Sequence, residues 1–169
     1  MPITESKNAD AVILGLGVLG LAAYPAASPL TFTDVGYIKS CEVSYSRELK
    51  DFESAGVLVK RLAFRDRFSL KSNWAEVSIS NLQKLIPSTS ITNGMDFGGS
   101  RTITRYLVQF EHTRDDNKVV TIRLYKTIAA GEATLGFAEE EFITYPTEFQ
   151  AEADTSKPSG RQYGFITIV

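Results

Sequence analysis

The sequence predicts a mainly β protein, an antiparallel β-sandwich or barrel with one flanking α-helix. Apolar and polar residues alternate along several segments, and turn-forming residues separate those segments. One stretch, about residues 74–86, has the apolar spacing of an amphipathic helix instead. The 169 residues suit a single domain. Within 1–169 we expect residues 1–33 to form an extended arm and first strand, and residues 34–169 to form the β-sandwich core.

The first apolar segment, Ala11–Ala27, has the composition of a signal peptide or membrane span. It is short for a span, however, and several residues interrupt it: Gly15, Gly17, Gly20 and Pro25. It also lacks the positive lead-in of a signal peptide, because Lys7 stands against Glu5 and Asp10. We therefore expect an extended arm or first strand that covers its apolar side against its own sheet or a neighbouring subunit, with no membrane contact.

Two strands come next. Tyr37–Leu49 alternates apolar and polar residues, which predicts a half-buried strand, and Leu58–Leu70 resumes the β pattern. Between them Lys50–Val59 is polar, contains a glycine and has no clear period, so we expect a long loop. Loops of this length in compact domains tend to be functional.

The helix is predicted from Asn73, a favoured N-cap residue, with Glu76 three residues later. Pro87 ends the pattern. The residues expected to pack the helix on the sheet recur at helical spacing: Trp74, Val77, Leu82 and Leu85.

The remainder reads as further strands and turns. Thr89–Ser100 predicts a turn-rich connection, and residues 113–118 predict the tip of a hairpin between two strands. The expected later strands are Thr102–Phe110, Val119–Ile128, Phe142–Gln150 and Tyr163–Val169.

No residues predict a catalytic, cofactor or metal site, and we expect a protein that is not an enzyme. His112 is the only histidine, which excludes a histidine-pair metal motif, and we expect it on the solvated surface. Cys41 is the only cysteine, so an intramolecular disulfide is impossible, and we expect a partly buried thiol.

Two further patterns are weaker than their letters suggest. Gly15, Gly17 and Gly20 match the spacing of a dinucleotide-binding fingerprint, but the required βαβ context is missing because Pro25 stops a helix. Glu139–Glu141 cannot converge on one metal ion from a strand, because neighbouring side chains point to opposite faces.

The charges are unevenly distributed. Residues 57–71 are basic, whereas residues 132–154 hold seven acids and neither lysine nor arginine. Opposite patches suit head-to-tail contact between copies. The alternative is chance clustering of balanced charges. The residues expected at such a subunit interface are Arg61, Arg65, Arg67, Glu139, Glu140 and Glu141.

Five segments together resemble the tail tube (major tail) proteins of long non-contractile-tailed bacteriophages. They share the order of a glycine-containing lead-in, a strand, a long loop, a basic strand and a lone helix. The resemblance covers about the N-terminal half of the chain. The segments are Asp34–Ile38, Glu42–Leu49, Lys50–Gly56, Phe64–Leu70 and Asn73–Leu82.

The resemblance implies a structural virion protein, made in the host cytoplasm, that self-assembles into hexameric rings. The rings stack into a hollow tail tube through which DNA is ejected without sequence-specific binding. Other expected partners are the tape measure and tail terminator proteins, and no cofactor is implied. The loop expected to reach the adjoining ring contains Lys50, Asp51, Phe52, Glu53 and Ser54, and terminal arms are expected to bridge subunits.

The tube interpretation has a further consequence. A channel that passes DNA should not hold phosphate through Lys or Arg, so we expect acids in the lumen, in particular Glu148 and Glu152. Two other function classes stay open: a monomeric β-barrel that binds a small apolar ligand, and a secreted enzyme. Oligomeric state separates the tube from the barrel.

Overall fold

The computed structural model describes residues 16–76, 78–98, 102–130, 134 and 144–169. One antiparallel sheet contains eight strands in the order β2-β1-β7-β8-β9-β4-β3, with β10 beside β8, and β5 and β6 form a separate hairpin. The elements are β1 (Val18–Ala23), β2 (Thr33–Asp34), β3 (Ile38–Ser54), β4 (Val57–Trp74), α1 (Ile79–Leu85), β5 (Ser88–Ile91), β6 (Gly94–Phe97), β7 (Arg105–Thr113), β8 (Val119–Ala130), β9 (Tyr145–Ala151) and β10 (Gly164–Ile168).

Strand β8 divides this sheet into two layers. Along one edge it pairs with β7. Along the other edge, residues 120–124 pair with β10 and residues 127–130 pair with β9, which leads on to β4 and β3. The predicted mainly β, sandwich-like fold with one helix is confirmed. A closed barrel is not formed among the described residues, since β2 and β3 end the strand order.

The core lies between the two layers. Trp74, Tyr145 and Phe149 are fully buried, and the Trp74 ring contacts both other rings at centroid distances of 5.6 and 6.1 Å. The Tyr145 hydroxyl donates to the Glu76 carbonyl at 2.8 Å, which satisfies its buried polar atom. The facing layer contributes aliphatic side chains from β1, β7 and β8: Leu19, Leu21, Val108 and Leu124.

The helix starts later than its predicted boundary. Trp74 is the last residue of β4, where it pairs with Ile38 and Tyr145, so the prediction of a helix from Asn73 is wrong. Strand pairing on both sides outweighs the local N-cap signal. The actual N-cap is Ser78, whose hydroxyl accepts a hydrogen bond from the Asn81 amide at 3.2 Å.

The helix still packs where the sequence indicated. Leu82 and Leu85 contact the core cluster, and Trp74 belongs to that cluster from its strand position. The Asn81 side chain donates to the Val35 carbonyl at 2.8 Å and ties the helix to the segment after β2. Val77 lies outside the described residues.

The predicted loop Lys50–Val59 is wrong. Both flanks continue as paired strands, and only Ala55 and Gly56 form the connection. Their φ angles of 51° and 77° are those of a two-residue type I′ turn, which follows the twist of a hairpin. Strand β4 accommodates two bulges, where Phe64 and Val59 have no counterpart in the register of β3.

The remaining predicted strands are confirmed with small changes of boundary. The predicted turn-rich segment Thr89–Ser100 contains most of the β5–β6 hairpin. The apolar N-terminal segment supplies β1, which lies between β2 and β7 in the sheet. Its residues 11–15 lie outside the described residues.

Candidate assembly surfaces

The β3–β4 hairpin extends well beyond the sandwich. Pairing of β4 with β9 ends at Ser69, and beyond that point the described residues of the two strands pair only with each other. We call residues 47–65 the arm, which is distinct from the N-terminal arm predicted for residues 1–33. Every residue of the arm is exposed. The arm is therefore a two-stranded projection without a core of its own.

Cross-strand ion pairs hold the arm together. Arg47 and Asp66 are directly opposite, and the Arg47 guanidinium donates two hydrogen bonds to the carboxylate at 2.6 and 3.1 Å. Arg61 and Asp51 repeat this arrangement nearer the tip, at 2.7 and 2.8 Å. These bidentate hydrogen bonds lower the pKa of Asp66 and of Asp51 below the usual range.

The arm also exposes large apolar side chains. Leu49 and Phe52 emerge from opposite faces of β3, because strand residues alternate. Between 47% and 63% of the surface of each such residue is accessible: Leu49, Phe52, Val57, Leu58, Val59, Leu62 and Phe64. Monomeric soluble proteins rarely expose so many neighbouring apolar groups, which indicates a surface that binds another protein.

The residues predicted for the inter-ring loop and for the basic interface lie on this arm, except Arg67, which lies just beyond its base on β4. Lys50, Asp51, Phe52, Glu53 and Ser54 form the end of β3 rather than a loop. Arg61 is paired with Asp51, and Arg67 lies 4.0 Å from Glu48. The predicted acidic partners Glu139, Glu140 and Glu141 lie outside the described residues. Sequence reasoning missed the exposed apolar group on β4, which the consecutive apolar residues Val57, Leu58 and Val59 could have indicated.

An open groove of about 1110 Å³ lies between the base of the arm and β10. Val43, Tyr45 and Phe68 line the side formed by the hairpin. Phe110, Ile122 and Ile166 line the side formed by the facing layer. Half of Tyr45 and 64% of Ile166 are accessible. The groove is thus an apolar gap in the sandwich at the end from which the arm projects.

A second, polar cleft of about 520 Å³ brings together residues that were predicted for separate surfaces. Arg65 and Arg67 line it together with Glu148 and Glu152, the two acids predicted for the lumen. Glu152 binds Arg105 at 2.7 Å and Lys126 at 3.2 Å, and these cations lower its pKa. Glu148 lies 3.9 Å from Lys71. Both acids are therefore close to cations of their own chain.

His112 and Cys41 carry side chains that can react, and both are at least partly buried. The prediction of a solvated His112 is wrong: it is 6% accessible, because it pairs with Val120 and follows Phe110 on the inner face of β7. Its ring nitrogens have no hydrogen-bond partner among the described residues. Cys41 is partly buried at the groove, as predicted, and burial raises its pKa to about 12.

The glycine pattern serves packing rather than nucleotide binding. Gly17 directly precedes strand β1, and Gly20 lies within it. No helix follows within the described residues before α1. A side chain at Gly20 would meet the Phe32 Cβ atom at 2.9 Å. Within the described ranges, no group of three potential metal ligands is present. No helix in those ranges has the length and apolar character needed to cross a membrane.

The fold is similar to that of one chain in a cryo-EM structure of the anti-feeding prophage baseplate, which was six-fold symmetrised. The TM-score is 0.57, the sequences are 11% identical, and the similarity covers 98% of this chain and 97% of that chain. At this identity the similarity concerns the fold. No protein-family model matches the chain, and no curated protein matches its sequence.

Proposed function

We propose that the protein is a structural subunit of a phage tail or phage-tail-like particle and that it assembles into stacked hexameric rings. The rings form a hollow tube for DNA ejection. The observation that carries the proposal is the arm, a projecting hairpin with apolar side chains on both faces. The fold similarity to a baseplate chain and the resemblance of the N-terminal half to tail tube proteins support the same conclusion.

The arm argues for self-association because it is preorganised for contact. Its two bidentate ion pairs fix the hairpin before any partner binds. A fixed arm loses less conformational entropy on binding than a flexible loop. Its apolar residues remain in water in the isolated chain, so a neighbouring subunit gains free energy by covering them.

The outer face of β4 and β9 supports the proposed lumen. Its side chains are polar: Ser69, Lys71, Glu148 and Gln150. A bore that passes DNA should be polar without an excess of cations, because each phosphate contact releases counterions and retains the strand. We therefore propose Glu148 and Glu152 for the bore wall, where these two acids offset part of the charge of the three nearby cations Lys71, Arg105 and Lys126.

The proposed subunit interface uses opposite charges. Arg61 is held by Asp51 at 2.7 Å, whereas Arg67 has only a 4.0 Å contact with Glu48, so Arg65 and Arg67 are the better candidates to meet Glu139–Glu141 of a neighbour. The remaining proposed partners are the tape measure and tail terminator proteins, which contact the tube in the proteins that the sequence resembles. The proposed location is the tail of the particle.

Removal of the arm tests the proposal. Residues 48–65 are replaced by Asn-Gly, which joins Arg47 and Asp66 through a two-residue turn and preserves their ion pair. Electron microscopy of the purified parent protein should show rings or hollow tubes. The shortened protein should melt cooperatively, since the arm lies outside the core, and should form no tubes.

A full-length Thr92→Asn variant is the control, because it changes the turn of the separate β5–β6 hairpin and leaves the arm unchanged. It should assemble like the parent protein. Normal tubes from the shortened protein would remove the arm from the assembly contact. A parent protein that stays monomeric at all concentrations would contradict the proposed function itself.

A further inference from the structure

The groove beside β10 and the tip of the arm have complementary properties. We propose that the groove receives the arm tip of a second copy of the chain. This inference rests on the proposed self-assembly and identifies the acceptor surface within it. It concerns the groove lined by Tyr45, Phe68, Phe110 and Ile166, and the tip formed by residues 52–59.

The chemical character of the groove and of the tip favours docking. The groove walls are apolar and aromatic, and the tip carries Phe52, Val57, Leu58 and Val59, each about half accessible or more. Docking would remove apolar surface from water on both sides, the dominant favourable term in most protein association. Of the charged residues that line the groove, Arg47 and Asp66 pair with each other, and the Arg65 guanidinium lies 5.6 Å from the centroid of the Phe64 ring.

The length and position of the arm keep its tip away from the groove of its own chain. Tyr45 lines the groove, and Ser54 is at the tip of the same strand, roughly 30 Å farther along at about 3.3 Å per residue. The hairpin wall of the groove is the base of the arm, so the arm cannot fold back into its own groove without breaking β3–β4 pairing. An arm tip that occupies the groove therefore comes from another copy of the chain.

Backbone hydrogen bonding between the edges of β10 and of an incoming arm also favours the contact. Among the described residues β10 pairs only with β8, and the arm strands pair only with each other. Both elements therefore present a free strand edge, and two such edges can add to one sheet. Edge pairing along β10 would place an incoming arm beside Ile166, at the mouth of the groove.

The contact has a consequence for assembly. Donor tip and acceptor groove are different surfaces of one chain, so the contact is head-to-tail and leaves one free tip and one free groove after every addition. Successive copies would be offset by roughly the 30 Å length of the arm. Such a contact supports axial stacking rather than a closed dimer.

Substitution on β10 tests the acceptor. Ile166→Asp puts a charge at the groove mouth, at a position that is 64% accessible and outside the core cluster. We expect the variant to melt like the parent protein and to lose at least tenfold in tube yield at equal concentration. Ile91→Asp is the matched control: it makes the same substitution on β5, where Ile91 is 49% accessible and does not line the groove. It should retain tubes.

A cross-link gives a second, independent measurement. In a Cys41→Ser background, Ser54→Cys labels the arm tip and Ser159→Cys labels the groove rim. Mild oxidation of assembled tubes should give a ladder of disulfide-linked multimers on a reducing-agent-free gel. The matched control pairs Ser54→Cys with Ser90→Cys, an exposed position on β5, and should give no ladder.

The failures of the two proposals are distinguishable. Tubes that form normally with Ile166→Asp, together with no ladder from the Ser54–Ser159 pair, would overturn the groove as acceptor and leave the tube intact. A ladder that forms equally with the Ser90 control would overturn it too. Absence of rings or tubes from the parent protein would instead overturn the proposed function.

Discussion

The sandwich and the arm are built from the same two strands, yet different interactions stabilise them. Near Trp74 the hairpin is packed on both sides, by β9 and by the apolar core. Beyond Arg47 its described residues contact solvent, and paired charges replace apolar burial. One pair of strands thus serves as a core element at one end and as an exposed projection at the other.

A projecting hairpin needs contacts that fix the register of its two strands. An isolated two-stranded hairpin is marginal in water. Here the sandwich fixes the register at the base, the two Arg–Asp pairs fix it along the length, and a tight turn closes the tip. The arm can therefore open separately from the sandwich. Substitutions and changes of pH can therefore affect the arm and the sandwich separately.

The largest effect is expected at the buried end of the hairpin. Trp74→Ala should lower the free energy of unfolding by about 3–5 kcal/mol, because a fully buried aromatic ring leaves a cavity between Tyr145 and Phe149. Denaturant unfolding measures the change. Tyr37→Ala, at an 81% accessible tyrosine, is the control and should change stability by less than about 0.5 kcal/mol. Equal effects of both substitutions would contradict the core assignment.

Acid should loosen the arm before the sandwich. The pKa of Asp51 and of Asp66 is lowered by hydrogen bonds from Arg61 and Arg47, so both carboxylates stabilise the arm above their unfolded pKa of about 3.9. That contribution is lost as the pH falls below about 4, through the lowered values. Amide-exchange protection factors of arm residues should fall in this range while those of β8 persist.

Asp51→Asn is the control for the acid effect. It removes one titrating partner, so the variant should start with lower protection in the outer half of the arm and lose less of it on acidification. Protection in the arm that does not change between pH 6 and pH 3 in the parent protein would show that the ion pairs do not hold the hairpin.

The smallest effect is expected at the turn. Ala55 adopts a positive φ of 51°, which disfavours an L-residue with a plain side chain, whereas asparagine tolerates it. Ala55→Asn should stabilise the closed arm by about 0.5–1 kcal/mol, seen as slower amide exchange at the tip, with an unchanged melting temperature. Gly56→Ala, at a φ of 77°, should have the opposite sign.

The strands were predictable wherever one face is buried. Tyr106, Val108 and Phe110 alternate with other residues because all three pack in or against the core cluster, and burial on one face of a strand produces a period of two in the sequence. The arm was not predictable in the same way. No face of it is buried, so Lys50–Val59 carries no alternation, and its Ala-Gly turn lacks the Asn-Gly or Asp-Gly signal of a tight hairpin.

The helix and His112 were mispredicted for related reasons. Asn73, Trp74 and Glu76 imitate a capped helix start, but the long-range partners Ile38 and Tyr145 hold Trp74 in a strand. His112 stands beside a charged hairpin tip, yet its pairing with Val120 turns it inward. In both cases a contact distant in sequence outweighs the local pattern. The groove is likewise formed by five segments that no local pattern connects.

The two bulges of β4 give the arm an evolutionary freedom that the sandwich lacks. Phe64 and Val59 are single extra residues, and strand side chains alternate with a period of two. Because β3 sets the register on both sides of each bulge, deleting Phe64 or Val59 would restore regular pairing and leave the other β4 side chains on their faces. A lineage can thus gain or lose a residue of the arm at either bulge by a one-codon change, while the remaining arm side chains and the core keep their positions.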